Sequence, residues 1–198
     1  MNRAAIDVSA LPTFAFGKRS VLWWATIGMI AIEGTAFALL IAAYIYLKWR
    51  VPHWPPGVAP PRLLWGTLTT ILIVVSAVPN ELARRSAKRL DVSGTRWWVF
   101  ASVVLAAGVV ITRTFEFTAL NVWWDTNAYG SIVWFLLGTH TFHTLTDTAD
   151  TFVLFLFLFG PLDANRFVDV EENGMYYYFV ILTWLPIYAL LYFAPRLA

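Results

Sequence analysis

His140, His143, Asp147 and Asp150 follow one another at spacings of three, four and three residues, which on a helix sets all four along one stripe. Imidazoles and carboxylates so placed can bind a metal ion, pass protons, or tie helices together by hydrogen bonds. A metal site needs further ligands from a second element, and Glu33 alone offers one, so no metal is expected here. At four residues apart His143 and Asp147 can hydrogen-bond directly. Asp147 and Asp150 repel if both are ionised, so either one gives up its charge or both have a basic partner. Thr139, Thr144, Thr146, Thr148 and Thr151 add hydroxyls that return to carbonyls of their own helix.

Glu33 stands in the middle of an apolar stretch running from Gly28 to Phe37. A charged side chain at that depth costs about 2.5 to 3.5 kcal/mol on insertion scales, so it must face protein, water or a headgroup. Gly34, Thr35 and Ala36 beside it let another helix approach closely. A hydrogen-bonded packing carboxyl, proton uptake and lipid binding all remain open for it. Arg113 and Glu116, three residues apart, are predicted to form a structural pair at the end of their span. Asp163, Asp169, Glu171 and Glu172 crowd a late loop and read as solvated acids. No residue is singled out as catalytic or as a cofactor ligand.

The elements that must position these groups are membrane spans. Hydrophobic residues make up 59% of the chain and charged residues 13%, a balance foreign to a soluble domain. The fold class expected is all-α, an integral membrane bundle of five transmembrane helices. The spans fall at residues 20–47, 63–78 and on past Pro79 toward Ala83, 97–112 or slightly beyond, 131–159, and 175–193. The first is long enough to cross about 30 Å of hydrocarbon with some tilt. Five prolines make residues 48–62 an extended loop, the basic run Arg84, Arg85, Lys88 and Arg89 closes the second span, Gly160 and Pro161 end the fourth, and Pro186 is a tolerated kink in the fifth. Residues 1–19 lack the apolar core of a signal peptide and read as a cytoplasmic tail before a transmembrane domain over 20–198.

Lys and Arg at the span ends divide nine to five, which by the positive-inside rule sets the N-terminus in the cytoplasm and the C-terminus outside. The absence of cysteine excludes disulfides, thiolate iron–sulfur clusters and thiolate-bridged copper. Three histidines, one of them His53 in the Pro-rich loop, are too few to hold two haems and a copper. Nothing in the charge pattern points to nucleic acid.

Several motifs become recognisable together. Asn127, Ala128, Tyr129, Gly130 and Ser131, followed by Gly138, His140 and His143, resemble the YGS and GxHxxH pattern of subunit III of haem–copper oxidases, the cytochrome c oxidase subunit III family. Arg113 and Glu116 before it look like that family's arginine and glutamate, and Glu33 is similar to its buried glutamate. Glu171, then Met175 to Val180 and Trp184, resemble its last helix. The shorter five-span form is the nearest in pattern. The sequence departs from the family at Asp147, where a glycine is usual, at Asp150, usually apolar, and at Tyr178 and Ile181, which replace a histidine and an aspartate.

What the resemblance implies is a non-catalytic, non-redox accessory subunit of a bacterial inner-membrane respiratory oxidase. It packs on subunit I and other oxidase subunits, holds phospholipid, and supports proton uptake, with haem and copper in the partner subunits and none in this chain. Glu33, His140, His143, Asp147 and Asp150 are then the lipid- or proton-related candidates. An accessory subunit of a nitric oxide reductase is the alternative, and a free-standing proton carrier using Glu33 and the polar stripe is a third.

Overall fold

The computed structural model describes residues 20–160 and 164–197, and every regular element among them is helical. Five long helices follow in order: α1 (Val21–Trp49), α2 (Leu63–Lys88), α3 (Val92–Thr118), α4 (Ala128–Phe157) and α5 (Ala164–Tyr188). The shortest has 25 residues and the longest 30, so at 1.5 Å per residue they run about 37 to 45 Å. The expected tail over residues 1–19 lies outside the described residues, as do Pro161 and Asp163.

Sequence sets the helix starts. Ser20, Asp91 and Asn127 precede α1, α3 and α4, and each accepts a hydrogen bond from a backbone N–H in the first turn, at 2.9, 3.0 and 2.9 Å, satisfying donors a helix otherwise leaves open. At the other end of α4, Arg96 reaches across from α3 and donates through Nε and Nη2 to the carbonyl of Leu158, at 2.8 and 2.6 Å. A guanidinium suits the negative end of the helix dipole.

Three helices outrun the sequence reading, α3 among them, which spans Val92–Thr118 against the expected 97–112 or slightly beyond. Helix α2 passes through Pro79 and continues to Lys88 rather than fading near Ala83, because Arg84 and Arg85 pair with Glu81 at 3.1 and 2.8 Å along the same helix. The basic residues expected to close the span are thus its last turns. Helix α5 starts at Ala164, so Asp169, Glu171 and Glu172 belong to a helix and not to a solvated loop. Arg84 and Lys88 then meet Glu171 across the α2–α5 contact at 3.7 and 3.0 Å.

Helices α4 and α5 stand at the centre. Helix α4 touches α1, α3 and α5, α5 touches α1, α2 and α4, and α2 forms an extensive hairpin with α3. Beyond Pro186 the chain widens into a π-helical turn over Ala189–Phe193, and the carbonyl of Leu190 accepts from the Tyr44 hydroxyl at 2.9 Å. The Pro-rich loop folds back beneath this point: Trp54 is buried and donates its indole N–H to Tyr44 at 2.9 Å.

The outer surface is apolar. Ile32, Leu39, Ile111, Phe135 and Phe142 are all at least 60% exposed, which in water would be a large aggregation-prone patch and in lipid is ordinary. Four stretches, α1, α2, α3 and Phe167–Arg196, are long and apolar enough to cross a membrane. The molecule is a multi-pass membrane protein. Helix α4 is as long as the others, but its His, Thr and Asp residues lower its hydropathy. Several of these, His140, Thr144, Asp147 and Thr151, are buried in the bundle, while Phe142, Leu145, Phe152 and Leu156 cover its outside.

Candidate functional site

Two polar regions meet on α4, one closed and one open. The closed one begins with Arg113, whose Nη1 donates to Glu116 Oε2 at 2.8 Å, with both side chains essentially inaccessible. The pair expected at a span end is therefore inside the protein. Arg113 Nη2 lies 3.2 Å from His140 Nδ1. A guanidinium can only donate, so Nδ1 accepts and the ring N–H is on Nε2, which faces the carbonyl of Val180 at 3.0 Å. Glu116 Oε1 accepts from the Tyr192 hydroxyl at 2.6 Å.

Aromatic packing completes the region. The guanidinium carbon of Arg113 sits 3.9 Å from the Trp184 ring centre, a cation–π contact worth about 2 kcal/mol when desolvated, and His140 packs on the same indole. Gly66 makes room, since a Cβ there would strike the ring of Tyr192. One positive and one negative side chain, each with hydrogen bonds, leave no net charge in the core, as a buried pair requires.

The open region is a cleft of about 490 Å³ between α1, α4 and α5. It runs from Leu22 to Glu33 along α1, about 16 Å at the helical rise. Five acidic residues line it: Glu33, Asp147, Asp150, Asp169 and Glu172. Glu33 accepts from the Tyr176 hydroxyl at 2.8 Å and lies 3.5 Å from His143 Nε2. His143 Nδ1–H is engaged by the carbonyl of Thr139 at 2.7 Å, so its contact with Glu33 becomes an ion pair only in the imidazolium form. Asp150 accepts from Asn173 at 3.1 Å.

Two of the remaining acids, Asp147 and Glu172, are poorly served. Asp147 is 2% exposed, and neither carboxyl oxygen has a hydrogen-bond partner among the described residues. Glu172 is 5% exposed; its Oε1 accepts from the Ser20 hydroxyl, and Oε2 has no partner among the described residues. Among the described residues no ion pair reaches Asp147, Asp150 or Glu172. Nor do any three His, Asp or Glu side chains there converge into a group that could hold a metal.

The single stripe expected for α4 is therefore split. Residues seven apart on a helix differ by about 20° in azimuth and residues three apart by about 60°, so His140 and Asp147 both point into the bundle while His143 and Asp150 flank it. The hydrogen bond that this spacing allows between His143 and Asp147 does not form, because the imidazole turns toward α1. Sequence reasoning missed the other half of the cleft. Asp169, Glu172, Asn173 and Tyr176 follow at helical spacing along α5, a signal hidden by reading the first acids as a loop.

No protein-family model matches the chain. It is similar, however, to cytochrome c oxidase subunit 3 of Thermostichus vulcanus, 24% identical over 83% of each chain. It is likewise similar to the probable cytochrome c oxidase subunit 3 of Nocardia farcinica, 25% identical over 85% of each. A third likeness, at 24% identity over 88% of this chain and 22% of the other, is to a heme-copper oxidase subunit I+III of Aeropyrum pernix. The resemblance carried by the motifs thus extends through most of the sequence, and the chain is a relative of the cytochrome c oxidase subunit III family.

Proposed function

We propose that this chain, as a relative of oxidase subunit III, serves as the non-redox accessory subunit of a respiratory haem–copper terminal oxidase. The observation that carries the reading is sequence likeness to cytochrome c oxidase subunit 3 along more than four fifths of both chains. The buried network adds physical support, since Arg113, Glu116 and His140, which supply two of the family-like motifs, touch one another.

On this reading α4 crosses the bilayer with the other four helices, its polar residues shielded by protein and its aromatic face in lipid. The tail over residues 1–19 and the basic end of α2 lie on the cytoplasmic side of a bacterial inner membrane, and the C-terminus lies outside. The protein packs against subunit I, which carries haem and copper, and passes no electrons itself. A single chain combining I and III in Aeropyrum pernix fits such contact, because fused sequences commonly sit side by side when separate. The outer apolar faces are where phospholipid binds, and Glu33, His143, Asp147 and Asp150 are the groups that support proton uptake by the complex.

The test is isolation of the complex from its native membrane in mild detergent. A multi-span subunit with haem absorption bands should accompany this chain, and the complex should reduce oxygen. Recovery of the chain with no haem-bearing partner overturns the reading, and turnover of nitric oxide without oxygen reduction replaces it with a nitric oxide reductase.

A further inference from the structure

We propose that the acidic cleft between α1, α4 and α5 receives a basic side chain, Lys or Arg, from a partner helix in the membrane. The inference rests on the reading of this chain as one subunit of a larger complex, and it names the chemistry of one contact.

Asp147 and Glu172 carry the inference. Both are more than nine-tenths buried, both line the cleft, and between them three carboxyl oxygens have no hydrogen-bond partner among the described residues. Orphaned acceptors away from water are costly, and in a bilayer such groups persist by pairing or by facing water. The acids crowd one side of the molecule, while Arg84, Lys88 and Arg96 are engaged elsewhere. Arg84 and Lys88 meet Glu171 on the α2 side, and Arg96 holds the end of α4. Among the described residues the charge lining the cleft is thus negative and calls for a cation.

Its walls select the kind of cation. Leu22, Met29, Leu154 and Phe157 line the same space, so the occupant has an apolar stem and a charged tip, as Lys and Arg do. A metal ion lacks the stem, and no three acids converge on one point among the described residues. A phospholipid amine brings its phosphate along, which would be set beside five acidic groups that repel it. A side chain brings positive charge alone.

A photoreactive benzoylphenylalanine at Met29, with a second variant carrying it at Val153, tests this in the intact complex in its own membrane. Mapped adducts should fall on another polypeptide within about one helical turn of a Lys or Arg. Asp147→Asn, alone and with Glu172→Gln, should lower adduct yield and retention of that partner about tenfold or more, while the isolated variant chains stay folded. Neutralising the mapped basic residue should act alike. Adducts to lipid only, to residues 1–19 of this chain, or to a partner stretch without a basic residue overturn the proposal, as does an unchanged yield in both variants. A partner that meets these criteria in a complex with no haem-bearing subunit keeps the proposal and removes the oxidase reading. A haem-bearing partner that never crosslinks does the reverse.

Discussion

Two residues seven apart on α4, His140 and Asp147, are equally buried yet stand in opposite situations. His140 belongs to a closed circuit in which Arg113, Glu116, Tyr192 and the Val180 carbonyl fill both ring nitrogens and both glutamate oxygens. Asp147 has neither oxygen filled among the described residues. The first region is satisfied within this chain but for Arg113 Nε, which has no hydrogen-bond partner among the described residues and belongs to a guanidinium stacked on Trp184. The second is a surface awaiting completion, and burial alone does not distinguish them; satisfaction of polar atoms does.

Unfolding measurements on the isolated chain in detergent separate the two. The largest effect is expected for Arg113→Leu, which strands Glu116 and should cost about 3 to 5 kcal/mol; Arg113→Met combined with Glu116→Gln should recover much of it. A loss below about 1 kcal/mol for Arg113→Leu would mean that water already enters the network. Gly66→Ala pushes Tyr192 away from Glu116, and a destabilisation of about 1 to 3 kcal/mol is expected. Tyr176→Phe removes one of Glu33's partners beside an open cleft, so the loss should stay near 0.5 to 1 kcal/mol, on the order of one ordinary hydrogen bond. Asp147→Asn should show the smallest effect, within about 0.5 kcal/mol or slightly stabilising, since no contact is broken. A large loss there would place Asp147 in a circuit of its own.

The same contrast explains what could be read from sequence. Arg113 and Glu116 lie three apart on one helix, so local spacing announced their pairing; that it is buried, with Trp184 against the guanidinium, depends on how α5 crosses α3 and α4, and no local pattern states that. The five helices follow from long apolar stretches, and even the prolines in α2 and α5 were compatible with them. Glu81 lengthened α2 by neutralising Arg84 and Arg85, a pairing the basic run masked. The cleft was half legible: Glu33 and the α4 acids stood out against apolar neighbours, whereas Glu172 and Asn173 looked like ordinary loop residues until helix α5 carried them inward. Trp54 in the Pro-rich loop is buried against Tyr44 and Tyr129 at the bundle end, contacts set by tertiary structure.

A density map of the complex isolated from its native membrane tests the division of the bundle most directly. It should place a haem-bearing subunit along α1, α4 and α5, with a guanidinium or ammonium group within about 4 Å of Asp147 and the Arg113 circuit unchanged from the isolated chain. A cleft that faces only lipid, or a partner seated on α2 and α3 with Asp147 still unpaired, would contradict it.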